Sequence, residues 1–355
     1  MASARVLVTG ASGFIGGHLV RKLVQTGRSV WALTRNAAST ERVRQSGGQA
    51  VTGDVTDLPS LERAMADSRP DVVFHAAGLV RAPSPEAFHA TNAIGSQNVA
   101  QACAQQPTAP VLVLVSSLAA AGPAVAGVPR VEDDTPQPVS AYGRSKLAAE
   151  RAVASFAKTA PVSIVRPGIV YGPGDRALLE MLKPIALWGL HLVPGRQGTT
   201  NRLSLVYADD LVDALLRIAE SGERMESGST SAGKGTHFVS GTEQPTYTEL
   251  GQIMSSALSG AEPRRGVRTL GVPEVFLRLA GKAGDVMYLL RRMSSMSGRH
   301  TEPGWINSDK MTEALAGSWV CSSTKIRTQL TWQPSKSLTE HLTETVRWYR
   351  QTGWL

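Results

Sequence analysis

The sequence predicts an α/β protein built on a doubly wound parallel sheet, followed by a smaller C-terminal region. Two observations carry that prediction. Up to about residue 170, short β-branched runs alternate with helix-length stretches, and strands spaced by helices pair in parallel beneath a helical layer on each face. A glycine-rich turn also joins the first run to the first helical stretch. With 355 residues, 42% hydrophobic and 19% charged, the chain has ample material for a core and is not a mostly disordered one.

The strand-forming runs are Arg5-Val-Leu-Val-Thr9, Ser29-Val-Trp-Ala-Leu-Thr34, Gln49-Ala-Val-Thr52, Asp71-Val-Val-Phe74, Val111-Leu-Val-Leu-Val115 and Val162-Ser-Ile-Val165. Residues 14–27 and 141–159 carry helical signals between them. Gly27 stands where a helix C-terminal glycine belongs, and Asp57 stands as an N-cap before Ser60. Beyond Arg166-Pro167 the pattern is irregular. Gly/Pro-rich loops at 168–175 and 194–198 separate helical pieces at 208–220, 247–258 and 273–293. A Ser/Gly-rich stretch at 221–236 reads as an exposed loop before a short strand, His237-Phe238-Val239. We therefore divide the chain into residues 1–167, with a later segment at about 203–220 returning to them, and residues 168–355.

Composition narrows the setting. Two cysteines, Cys103 and Cys321, among seven scattered histidines give neither zinc spacing nor a disulfide framework, so no metal site and a cytoplasmic, reducing location are expected. The N-terminus runs at once into Val6 and shows no secretory leader. The uncharged stretch 111–129 is broken by serines, glycines and prolines, which makes it a strand and loop rather than a membrane span. Of the +8 net charge, +5 falls within residues 261–300: eight Lys/Arg, including Arg264, Arg265 and Arg299, against three acids. Nothing else resembles a nucleic-acid motif, so an ordinary basic surface is the competing explanation.

Three motifs carry chemistry. In Val6-Leu-Val-Thr-Gly10-Ala-Ser-Gly13-Phe-Ile-Gly16, glycines follow a strand and open a helix, where backbone N–H groups approach a pyrophosphate. The second strand ends Thr34-Arg35-Asn36, with no acid before Glu41. An acid there would favour NAD, whereas Arg35 suits a 2′-phosphate and so NADP, with NAD remaining possible. A solvated surface arginine is the plainer alternative. In Ser140-Ala-Tyr142-Gly-Arg-Ser-Lys146, Tyr142 and Lys146 share one helical face. A neighbouring ammonium would lower a tyrosine pKa of ~10 toward neutrality. Ser116-Ser117 ends the fifth strand, on the sheet edge where ligands of open parallel sheets sit.

Together with Gly53-Asp54-Val55, His75-Ala-Ala-Gly78 and Arg166-Pro-Gly-Ile-Val-Tyr-Gly-Pro-Gly174, these residues resemble the extended short-chain dehydrogenase/reductase superfamily. That group includes nucleotide-sugar epimerases and dehydratases, 3β-hydroxysteroid dehydrogenases and dihydroflavonol reductases. Asn307-Ser-Asp-Lys310, Trp319 and the stretch from Leu330-Thr-Trp-Gln-Pro334 to Tyr349 are similar to its C-terminal pattern.

The resemblance implies a Rossmann fold with a C-terminal substrate-binding region and a homodimer paired through the helix of Tyr142. It implies Tyr142 as proton donor or acceptor, Lys146 on the nicotinamide ribose and Ser117 on the reacting oxygen. Gly10, Ser12, Gly13, Phe14, Ile15 and Gly16 would line the cofactor with Arg35 and Asn36. Asp54 and Val55 would lie at the adenine, Ala76, Ala77 and Gly78 along the cofactor, and Pro167, Ile169 and Val170 beside the nicotinamide. Two departures bear on substrate: no aromatic precedes Gly122, and Tyr207 replaces the histidine many relatives carry.

Three activities compete: an NADPH-dependent ketoreductase or hydroxysteroid-type dehydrogenase, a nucleotide-sugar epimerase or dehydratase with retained cofactor, and a non-catalytic dinucleotide sensor. Arg35 favours the first, with a hydrophobic β-keto or sterol-like substrate. Arg176 and Arg202 are the candidate diphosphate clamp of the second. Residues 270–292 mix apolar residues with Arg278, Lys282, Arg291 and Arg292. They read as small-domain core or as an amphipathic lid on an anionic membrane, with Pro273 and Gly281 to Gly284 as breaks.

Overall fold

The computed structural model describes residues 4–125, 128–226, 233–260, 266–294 and 303–355. Arg264, Arg265 and Arg299 of the basic stretch, and residues 227–232 of the Ser/Gly-rich loop, lie outside them.

Strands β1 (Arg5–Thr9), β2 (Ser29–Thr34), β3 (Gln49–Thr52), β4 (Val72–His75), β5 (Val111–Val115) and β6 (Val162–Pro167) follow the alternating runs of the sequence. Three short strands come next: β7 (Ile169–Tyr171), β8 (Leu190–Pro194) and β9 (Leu205–Tyr207); then β10 (Thr236–Val239). The main sheet has seven strands in the order β10-β6-β5-β4-β1-β2-β3, every pair parallel. The expected doubly wound parallel sheet is the one observed.

Why it holds together follows from the period of two along each strand. Val6, Val8, Val113 and Val115 face one core, shared with Leu19 of α1 (Phe14–Gln25). Leu7, Leu112 and Leu114 face the other, shared with Val99 and Val153. Helices α2 (Ala37–Gln45), α3 (Leu58–Ser68), α4 (Pro85–Phe88), α5 (Gly95–Ala104), α6 (Leu118–Ala121) and α7 (Ala141–Ala154) complete this half. A π-helical turn, His89–Ile94, bridges α4 and α5.

In the C-terminal half, α8 (Arg176–Trp188), α10 (Tyr247–Ser259) and α14 (Leu338–Gln351) share a third core with Phe238 of β10. Between them in sequence, α9 (Ala208–Ser221) packs beside α1 and over β5 and β6. Strand β11 (Arg268–Val272) pairs with β8, and β7 with β9, as two separate two-stranded ribbons. The remaining helices are α11 (Glu274–Ser294), α12 (Ser308–Leu315) and α13 (Thr324–Leu330).

Helix α11 corrects two expectations. It is one unbroken helix of 21 residues, because Pro273 precedes its first turn, where the missing N–H has no intrahelical partner to lose. It is also not domain core: its large apolar residues Val275, Phe276, Leu279, Val286, Met287, Leu289 and Leu290 are each more than half exposed.

Candidate active site

The site is assembled at the C-terminal ends of β1, β4, β5 and β6, where the strand order turns back from β4 through β1 to β2. Ligands of open parallel sheets bind in the crevice at such a reversal. Gly10 follows β1 with φ +72°, and a Cβ there would lie 2.6 Å from the Ala76 backbone carbon. A Cβ on Gly16 would lie 2.1 Å from the Gly10 carbonyl oxygen. Glycine is therefore required at both positions. Gly13 caps α1 without a side-chain hydrogen bond, and the first turn carries no acid. Its N–H groups and helix dipole suit a bound pyrophosphate, so this turn fits a dinucleotide.

At the end of β2, Arg35 is 67% exposed and stands 3.8 Å from Asp54. Asn36 is committed elsewhere: its Oδ1 accepts from the Ser39 backbone and its own backbone N–H donates to Ser39 Oγ, a reciprocal cap on α2. Asp54 Oδ1 accepts from the Thr56 backbone and hydroxyl. Val55 is buried against Gly95, so its side chain belongs to the core. Ala77 donates to Thr9 Oγ1 at 3.3 Å, and Gly78 beyond it is exposed, with the position of its missing Cβ 3.6 Å from Lys146 Nζ. Pro167 is buried in β6, Val170 is partly covered and Ile169 is exposed.

Ser117, Tyr142 and Lys146 meet across β5 and α7. Ser140 caps α7 by accepting from Gly143 N–H at 2.9 Å, which starts the helix with Tyr142 in its first turn. The Ser117 hydroxyl faces the Tyr142 phenol. Burial raises that phenol above the usual range, Ser117 opposes that, and the Glu313 carboxylate adds to it. The expectation that Lys146 lowers it therefore fails: dehydration dominates and Tyr142 stays protonated.

Lys146 is buried, donates to the Val115 carbonyl at 2.7 Å and is pulled down to about 8 by burial, with Glu150 opposing. One turn further, Glu150 accepts from Ser116 Oγ at 2.5 Å and, bidentately, from Arg166 at 2.6 and 2.9 Å. This pair is buried on both sides. It anchors the α7–β6 contact directly behind Ser117, Tyr142 and Lys146.

The C-terminal cover supplies contacts that the sequence does not show. Asp309 of α12 accepts from the backbone N–H groups of Ala141 and Tyr142 at 2.6 and 3.2 Å, capping α7 from outside. Lys310 Nζ stands 4.3 Å from the Tyr142 ring centre, a cation–π contact. Glu313 accepts from Ser140 Oγ at 2.6 Å. Arg81 lies over Trp305 and donates to the Pro303 carbonyl at 2.6 Å. Asn92, in the π-turn, is fully buried and joins Leu79 to Ser145. Of these groups the sequence marks only Asn307-Ser-Asp-Lys310, and without a role.

Both sequence departures prove to be core positions. Tyr207 is buried and stacks on His341 at 3.9 Å, and Ala121 is fully buried. The candidate clamp is also engaged. Arg202 donates to the Gln244 carbonyl and stands 3.7 Å from Glu249, while Arg176 lies over the Trp354 ring. A cleft of about 470 Å³ beside β10 is lined by Glu132, Asp133, Glu223, Lys234 and Lys325 and by none of the residues above. Among the described residues, no group of three or more His, Cys, Asp and Glu could hold a metal ion, and no helix is long and apolar enough to cross a membrane.

Comparison with known proteins agrees with this geometry. Residues 6–232 match the model of the NAD dependent epimerase/dehydratase family. The ceramide reductase of Caulobacter vibrioides (strain NA1000 / CB15N) is 30% identical over 353 residues, covering 99% of this chain and 96% of the relative. The 2-alkyl-3-oxoalkanoate reductase of Stenotrophomonas maltophilia (strain K279a) is 29% identical over 262 residues, covering 71% and 75%. In fold, the chain is similar to the UDP-glucose 4-epimerase of Thermus thermophilus in complex with NAD: TM-score 0.71, 24% identity, covering 98% and 99%.

Proposed function

The chain belongs to the NAD dependent epimerase/dehydratase family as an NAD(P)-dependent oxidoreductase of the extended short-chain dehydrogenase/reductase type, and on that premise we propose that it is an NADPH-dependent ketoreductase acting on a hydrophobic ketone. The reaction is ketone plus NADPH plus a proton giving a secondary alcohol and NADP. When bound, the nicotinamide supplies the hydride to the carbonyl carbon. The chain's own part is the oxygen: Ser117 polarises it by a hydrogen bond, Tyr142 donates its phenolic proton as negative charge builds, and solvent restores that proton. Lys146 would hold the nicotinamide ribose.

One observation carries the reading. Ser117, Tyr142 and Lys146 converge at the end of β5, where Lys146 donates to the Val115 carbonyl and the Tyr142 phenol, still carrying its proton, faces Ser117. Preference for NADPH is supported by exposed Arg35 with no acid at that strand end. Its surface contact with Asp54 is worth about 0–1 kcal/mol and yields to a phosphate dianion. A hydrophobic ketone is supported by the activities named for the two reductase relatives. A homodimer, implied by the resemblance, and a cytoplasmic location, expected from the cysteine content, complete the reading.

The test is multiple-turnover loss of free NADPH against β-keto lipids, keto-sphingolipids, steroids and nucleotide sugars. Stoichiometric loss with a hydrophobic ketone is expected, with Arg35→Ala raising KM for NADPH roughly tenfold or more, as expected for a lost charge-assisted phosphate contact, and sparing NADH. Conversion of a nucleotide sugar with no net cofactor loss would overturn it.

A further inference from the structure

Helix α11 inverts the usual placement of hydrocarbon. Its inner face, built on Leu277, Gly281, Gly284 and Tyr288, is turned to the protein. A Cβ on Gly284 would lie 2.0 Å from the Ile306 carbonyl oxygen and one on Gly281 would lie 3.0 Å from Ser308 Cα, so the helix rests directly on the chain that leads into α12. At 100° per residue, Val275, Leu279, Ala283, Val286 and Leu290 form one outward stripe, widened by Phe276 and Met287. Arg278 and Lys282 flank one side of it and Arg291 the other. The helix is about 30 Å long.

Charge around this face is predominantly basic. Arg268, Arg278, Lys282, Arg291 and Arg292 are exposed. Of the two acids, Glu274 is tied to Arg278, and Asp285 accepts from the Ser308 backbone at 3.4 Å. The segments that lead into α11 are also apolar outside. Leu192 and Leu270 pair across the β8–β11 ribbon and are both more than half exposed, and Trp188, at the end of α8 just before that ribbon, is 74% exposed. Such an exposed apolar face marks an interaction site. A second copy meeting it across a two-fold axis would set these cations against themselves. An anionic lipid surface meets both the hydrocarbon and the charge.

We propose that the outer face of α11 is a docking surface for an anionic lipid bilayer. It deepens the ketoreductase reading, on which its purpose rests: α11 is backed by α12, whose Asp309 and Lys310 touch the Tyr142 end of α7. A hydrophobic ketone held in the bilayer would then be presented one helix away from Tyr142.

The test is co-sedimentation of the full chain with vesicles of equal parts phosphatidylcholine and phosphatidylglycerol, and with phosphatidylcholine alone. Binding to the mixed vesicles, weakened by salt, is expected. Leu279→Asp with Leu290→Asp should weaken it at least about tenfold with an unchanged thermal midpoint, and Arg278→Glu with Lys282→Glu should abolish the preference for the anionic lipid. Failure of the wild type to bind, or equal binding by the aspartate variant, overturns the proposal. So does a wild-type dimer in light scattering that the aspartates dissociate, which would give the face to a second copy. No turnover enters these readouts, so docking and ketone reduction stand or fall separately.

Discussion

Two helices of this protein treat their side chains in opposite ways. Helix α7, 14 residues long, buries a lysine and a glutamate, Lys146 and Glu150; α11, 21 residues long, exposes seven large apolar side chains. Buried charge and exposed hydrocarbon are the informative exceptions to ordinary burial, and each has its own cause. Lys146 and Glu150 are tolerated inside because both have partners: the Val115 carbonyl for the first, Ser116 and Arg166 for the second. The apolar stripe of α11 is outside because its inner face alone is spent on packing. Side-chain placement therefore follows partners, and a helix whose partners are missing from the fold points to something beyond it.

The hardest way to break the contrast is at the tip of α7. Tyr142→Phe removes the phenolic proton but keeps the ring against Phe88 and Lys310. Ketone turnover should fall by about 10²–10⁴-fold, the range for a general acid, with NADPH binding unchanged; retained turnover would remove Tyr142 from the chemistry. Next is the buried pair. Glu150→Ala leaves Arg166 charged and unpaired, which should cost about 3–5 kcal/mol in urea unfolding, whereas Glu150→Gln, which keeps a hydrogen bond to Ser116, should cost less. Equal effects would mean that loss of the charge, common to both variants, is what matters there, and that the hydrogen bond to Ser116 adds little.

Acidity gives a third handle. Because burial pulls Lys146 down to about 8, its ammonium is present below that pH and lost above it. Reduction, followed as kcat/KM, should decline as pH rises through about 8, and Lys146→Arg, which does not titrate there, should flatten that limb. An unchanged limb in the arginine variant would assign it to another group. The smallest effect is expected on α11. Leu279→Asp touches no packed face and should change stability by no more than about 0.5 kcal/mol, and a larger loss would show that the stripe is covered in solution.

The first half of this fold is legible because each strand from β1 to β6 is a β-branched run closed by a turn, and because Gly10 and Gly16 answer a steric demand any such turn makes. Strands β7 and β9, of three residues each, are too short to show a period, and β8 and β11 carry exposed leucines that hide their alternation. The groups gathered around Tyr142 were less legible than Tyr142 itself. Asp309 reaches Ala141 across 168 positions of sequence, and no local pattern encodes such a contact. Nor can an apolar stripe say whether its partner is the protein's own core: 270–292 reads alike either way, and only the exposed face of α11 decides.

The central claim, net reduction of a hydrophobic ketone with Tyr142 supplying the proton, is tested most directly by following the hydride. NADPH carrying deuterium at the reactive nicotinamide carbon is consumed by the wild-type protein with a keto-lipid in mixed vesicles. Deuterium on the carbinol carbon of the product, one for each NADPH lost, is the predicted result. Deuterium retained in the cofactor while a nucleotide sugar is epimerised or dehydrated would contradict it.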